Sequence, residues 1–167
     1  IASCLDISLK LISYDYRNPD SLLLAASLGN TAILYRKSGN YPKAIYYLQE
    51  SIKINQVHAR VELAGNYANL ANVYSDIRQY KKAGWYFHEA LRMRQKSNDE
   101  KGLALSYANI ANHYHNIGKP DSSLYYYSKA IMLNEKLKFP DSKKALTYNN
   151  FTNLYIESDQ LDSAIKY

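Results

Sequence analysis

Tyr107-Ala-Asn-Ile-Ala-Asn-His-Tyr114 has two close counterparts in the chain and a third, more divergent one. Tyr67-Ala-Asn-Leu-Ala-Asn-Val-Tyr74 precedes it, Tyr148-Asn-Asn-Phe-Thr-Asn-Leu-Tyr155 follows it, and Leu28-Gly-Asn-Thr-Ala-Ile-Leu-Tyr35 lies earliest. The closing tyrosines at 35, 74, 114 and 155 are 39, 40 and 41 residues apart. A repeat of that length is the mark of a solenoid built from helical pairs. No single pair can bury its apolar face, so each stacks on the next.

Working outward from these stretches, the flanking residues supply helix starts and stops. Gly39 and Gly118 fall where a left-handed residue would close a helix, and Pro42 and Pro120 stand in the first turns that follow. Asn18, Asn40 and Asn98 are predicted to cap the next helices. Residues 1–17 are expected to form the second helix of a truncated repeat. Complete repeats are expected over 18–56, 57–97 and 98–138, and a truncated one over 139–167. Both ends would leave an apolar face open, so the chain is expected to be an excerpt of a larger protein.

Composition agrees with an all-α chain. Glycine (6) and proline (4) are scarce among 167 residues, while tyrosine is used 18 times. Tyrosine joins an apolar body to a polar tip, which suits thin layers where many side chains are half buried. The net charge is +6. Lysine and arginine are scattered over most segments rather than gathered in a stripe, which argues against a nucleic-acid partner. The single Cys4 excludes an internal disulfide and a CxxC metal site. No apolar run is long enough to span a bilayer, so no membrane contact is expected of this segment.

The spacing of large and small residues resembles the tetratricopeptide repeat. That family places a large residue early in helix A, a small one four later and an aromatic three after that. Small residues then recur early in helix B and seven positions on. The chain has Tyr67, Ala71, Tyr74, Ala83 and Ala90, then Tyr107, Ala111, Tyr114, Ser123 and Ala130. The outer repeats have Leu28, Ala32, Tyr35, Ala44 and Ser51, and Tyr148, Thr152, Tyr155 and Ala164. Small residues let two antiparallel helices approach closely. The family's usual period is shorter. Periods near 40 resemble those of kinesin light chains, bacterial peptide-sensing regulators and sensor regions of bacterial signalling proteins. The resemblance implies a right-handed α-α superhelix with a concave groove lined by the A helices.

No catalytic constellation is visible. His113 and His115 are two apart and so diverge on a helix, His58 and His88 stand alone, and the acids are dispersed. No metal or cofactor motif is present, and the chain is expected not to be an enzyme. The asparagines are more informative. Asn30, Asn69, Asn109 and Asn150 recur in one phase, and Asn72, Asn112 and Asn153 three residues later. The resemblance places both sets on the groove, with Arg36 and His115 nearby. An amide offers donors and an acceptor together, matching an extended peptide backbone. A peptide or protein segment is therefore the expected partner, with helix-to-helix cross-linking as the other role open to the amides. Self-association into a homodimer is the alternative function, through the open ends or through whichever members of Tyr46-Tyr47, Trp85-Tyr86-Phe87 and Tyr125-Tyr126-Tyr127 face the convex side.

Overall fold

The computed structural model describes residues 2–17, 21–58 and 60–157. Among them are eight helices and no strand. They are α1 (Ala2–Arg17), α2 (Ser21–Lys37), α3 (Tyr41–His58), α4 (Arg60–Asp76), α5 (Tyr80–Lys96), α6 (Glu100–Asn116), α7 (Pro120–Lys136) and α8 (Asp141–Glu157). The chain divides into two compact units, Ile1–Ala90 and Leu91–Tyr167, with the division inside α5. In the first unit α2 packs on α1 and α3, and α3 on α4. In the second α7 packs on α6 and α8. The helices form sequential antiparallel pairs.

Each pair crosses on small residues. Ala32 and Ala44, Ala71 and Ala83, and Ala111 and Ser123 are all fully buried. A serine at such a crossing needs a partner for its hydroxyl, because an unpaired buried polar group is costly. Ser123 Oγ donates to the Ala111 carbonyl at 2.8 Å, and Ser51 Oγ to that of Ala25 at 2.7 Å.

The aromatics divide into three roles. Tyr35 stacks on Tyr47, Tyr74 on Tyr86 and Tyr114 on Tyr126, with centroids 5.4, 5.6 and 5.5 Å apart and rings within 8° of parallel. The following residue, Leu48, Phe87 or Tyr127, is buried. The preceding one, Tyr46, Trp85 or Tyr125, is more than half exposed. Three consecutive positions of helix B thus supply an outward ring, a stacking ring and a buried plug in succession.

Gly39 and Gly118 take positive φ, +77° and +69°, at the turns between helices A and B. Arg78 occupies that position in the middle repeat at +59°, outside the range most L-residues adopt. Asn98 departs from its predicted role as the cap of α6. It takes the left-handed conformation at φ +52°, which asparagine tolerates well. Asp99 caps the helix instead, its Oδ1 accepting from Gly102 N at 2.9 Å. Asn40 does cap α3, accepting from Lys43 N at 3.3 Å. The predicted cap Asn18 and the small residue Ala164 lie outside the described residues. No helix among the described residues is long and apolar enough to cross a membrane.

Candidate binding clefts

Helices α2 and α4 of the first unit leave a cleft of about 330 Å³ between them, with Asn55 of α3 also in its lining. Gly29, Gly65 and Ala26 line it, so little side-chain bulk fills the space, and Asn30, Asn69 and Ile33 stand along its length. The floor is polar and tied together. Ser51 Oγ donates to the Ala25 carbonyl, which can only accept. The serine must then accept from the amide of Asn66, whose Nδ2 lies 2.9 Å away. This relay links α4 through α3 to α2 and fixes which way the Asn66 amide points. Its Oδ1 is directed at the space above Gly29, where a Cβ would come within 3.4 Å of it.

The second unit has a corresponding cleft of about 380 Å³ between α6 and α8. Its lining is more apolar and includes Leu105, Ala108 and Phe139, with Lys101 at one side and Asn134 and Thr147 below. Leu105 and Leu146 are both exposed at the position that Ala26 and Gly65 hold in the first unit.

Asn55, Arg94 and Asn134 form a series that the repeat motif alone does not announce. They recur at steps of 39 and 40 near the ends of the B helices, and all three are buried. A second buried polar series, Asn66, Ser106 and Thr147, follows at steps of 40 and 41 on the A helices. Arg94 joins the two. Its Nη1 donates to the Gly102 carbonyl at 2.8 Å and to Ser106 Oγ at 2.7 Å, and its Nε lies 3.9 Å from Asp99 Oδ2. Burial pushes the arginine pKa down, and Asp99 acts in the opposite direction. A Cβ at Gly102 would sit 2.0 Å from Asp99 Oδ2 and 2.7 Å from Arg94, so both side chains would have to shift to admit one.

The asparagines expected to form one ladder divide. Asn30 and Asn69 line the first cleft. Asn112 and Asn150 bind each other, Nδ2 of Asn150 donating to Oδ1 of Asn112 at 3.1 Å, and the buried hydroxyl of Tyr127 donates to the same oxygen. These two amides therefore brace α6, α7 and α8. Burial pushes the Tyr127 phenol up to about 12, with a hydrogen bond to Asn150 working the other way. In the first unit Ile33 stands where Asn112 stands in the second, so α2 supplies no amide there to engage Asn69. Asn72, Asn109, Asn153 and His115 line neither cleft, the last two being exposed. Arg36 is engaged by Asp76, with Nε to Oδ2 at 2.6 Å and Nη2 to Oδ1 at 3.2 Å. His113 is buried, its ring beside Tyr114. Among the described residues no cluster of three His, Cys, Asp or Glu could hold a metal ion.

Fold and clefts together define a helical-repeat protein whose A helices carry the recesses. Two sequence profiles described as tetratricopeptide repeat match residues 62–136 and 24–58, together well over half of the chain. The chain belongs to the tetratricopeptide-repeat family, and it is a protein-interaction scaffold of that family. No curated protein matches it. Among solved structures, aspartyl phosphate phosphatase F from Bacillus subtilis is similar at a TM-score of 0.90 and 17% identity, covering 99% of this chain and 44% of that one. BtubC (BKLC) from P. vanneervenii is similar at 0.77 and 22% identity, covering 88% and 61%. A Rap protein complexed with competence and sporulation factor is similar at 0.79 and 15% identity, covering 93% and 49%. The chain thus spans about three-fifths of the second of these and under half of the other two. At these identities the likeness is one of fold.

Proposed function

We propose that the chain is a non-catalytic scaffold that holds an extended peptide segment between successive A helices, as the sensory or adaptor region of a bacterial signalling or regulatory protein. The observation that carries this is the first cleft. There Asn30 and Asn69 flank a recess of about 330 Å³ lined by glycine and alanine, which leaves room for a main chain beside two amides. A solved Rap protein of similar fold is complexed with a factor, which supports a peptide as occupant. Asn112 and Asn150 serve as braces in this scheme.

The test is selection of binders from a displayed peptide library on the 167-residue chain, followed by calorimetry on the selected sequences. Asn30→Ala with Asn69→Ala removes two amide partners, each contributing about 0.5–1.5 kcal/mol, so affinity should fall by about fivefold to a hundredfold. Circular dichroism should not change. Selected peptides that bind the double variant as well as the parent would refute the assignment.

Self-association is the alternative, favoured by the outward rings of Tyr46, Trp85 and Tyr125 recurring in phase on the B helices. Light scattering that shows a dimer dispersed by Trp85→Ala would establish it. A monomer at millimolar concentration would remove it.

A further inference from the structure

We propose that the first cleft selects a peptide carrying a basic side chain, with Glu62 as its counter-charge. This rests on the peptide-binding function proposed above and adds the chemistry of the occupant. Glu62 is exposed on the first turn of α4 and is the one charged residue lining that cleft. Among the described residues it has no ion pair.

The cleft floor points the same way. The Ser51 relay commits the donor end of the Asn66 amide inward, so its acceptor oxygen is turned to the space above Gly29. Asn66 is itself more than nine-tenths buried, so this orientation is held by packing as well as by hydrogen bonds. A carboxylate and a fixed carbonyl in one recess favour a group that is both cationic and rich in donors. Arginine and lysine side chains meet that requirement and carboxylates oppose it. The small residues at 26, 29 and 65 allow the long apolar stem of such a side chain to lie along the cleft. The equivalent cleft of the second unit carries Lys101 and no acid among its lining residues, so it provides an internal control.

The experiment uses terminally blocked heptapeptides of alanine and serine with one central residue, arginine, lysine, glutamine or glutamate. Each is titrated into the isotope-labelled 167-residue chain and followed by amide correlation spectra. The arginine and lysine peptides should shift the Gly29 and Gly65 signals and the Asn30 and Asn69 side-chain amides, with affinities about fivefold above that of the glutamine peptide. Glu62→Gln should abolish that difference, and Glu62→Lys should reverse it in favour of the glutamate peptide. At Leu105 and Ala108 the arginine peptide should show no advantage. Equal shifts by arginine, glutamine and glutamate peptides, or a preference that survives Glu62→Gln, would overturn charge selection and leave the peptide groove standing. Failure of every peptide to perturb the cleft would remove the groove itself and this inference with it.

Discussion

Gly102→Ala should make the protein less stable although it improves helix propensity. Alanine is favoured over glycine within a helix by about 1 kcal/mol. A Cβ at this position would stand 2.0 Å from Asp99 Oδ2 and 2.7 Å from Cδ and Nε of Arg94, so both side chains must move. Displacing Asp99 releases the cap at Gly102 N, a loss of about 1 kcal/mol that cancels the propensity gain. Displacing Arg94 strains its bonds to the Gly102 carbonyl and Ser106 Oγ. A hydrogen bond to a charged group contributes about 1.5–3 kcal/mol, so even with one of the two retained the net loss is about 2 kcal/mol. Urea unfolding followed by far-ultraviolet circular dichroism measures this directly. Gly65→Ala is the control. That glycine is helical and a Cβ there meets nothing within 4 Å, so the variant should gain about 0.5–1 kcal/mol. When Arg94→Met is introduced first, Gly102→Ala should cost less than about 1 kcal/mol, since a flexible apolar side chain can yield. A Gly102→Ala protein as stable as the parent, or one whose loss persists undiminished in the Arg94→Met background, would refute the assignment.

Two further predictions concern the amide brace. The folded-state pKa of Tyr127, about 12, lies above the ordinary value of 10, so its contribution is complete below about pH 10 and is lost as pH rises toward 12. The shift corresponds to roughly 3 kcal/mol. The parent should therefore lose stability over that window more steeply than Tyr127→Phe, as read from urea midpoints at each pH, and parallel curves would count against it. Asn112→Ala strips the acceptor from Tyr127 and Asn150 and should cost about 1–3 kcal/mol, whereas Asn153→Ala, at an exposed site, should stay within about 0.5 kcal/mol. Equal melting temperatures for the two variants would show that the bridge contributes nothing.

Period, helix pairing and the small-residue crossings were legible because one motif recurs four times and small side chains at 32 and 44, or 111 and 123, have a single physical use. The cleft floor was less accessible. Asn55, Arg94 and Asn134 lie in phase, yet what each does differs: Arg94 bonds to Ser106, while Asn55 lines one cleft with Asn66 and Asn134 lines the other with Thr147. Periodicity shows that such positions correspond and does not show what they touch. The asparagine ladder carries the same lesson. Asn69 and Asn150 are identical in phase, and they part because their neighbours differ, Ile33 for one and Asn112 for the other. Arg36 could be placed on a groove from sequence, while its capture by Asp76, forty residues on, depends on two side chains meeting in space. At Asn98 the backbone settled the outcome, since a residue in the left-handed conformation hands the capping role to its successor.

The rings of the first unit also form an optical device. Trp85 is the only tryptophan of the chain, and Tyr86 and Tyr67 lie 4.7 and 6.3 Å from it. Light absorbed by those phenols will pass to the indole by resonance transfer and emerge as tryptophan emission. Tyr107, Tyr114, Tyr125 and Tyr126 belong to the second unit, which contains no indole. Loss of that transfer on heating should therefore report the melting of the first unit, without a label.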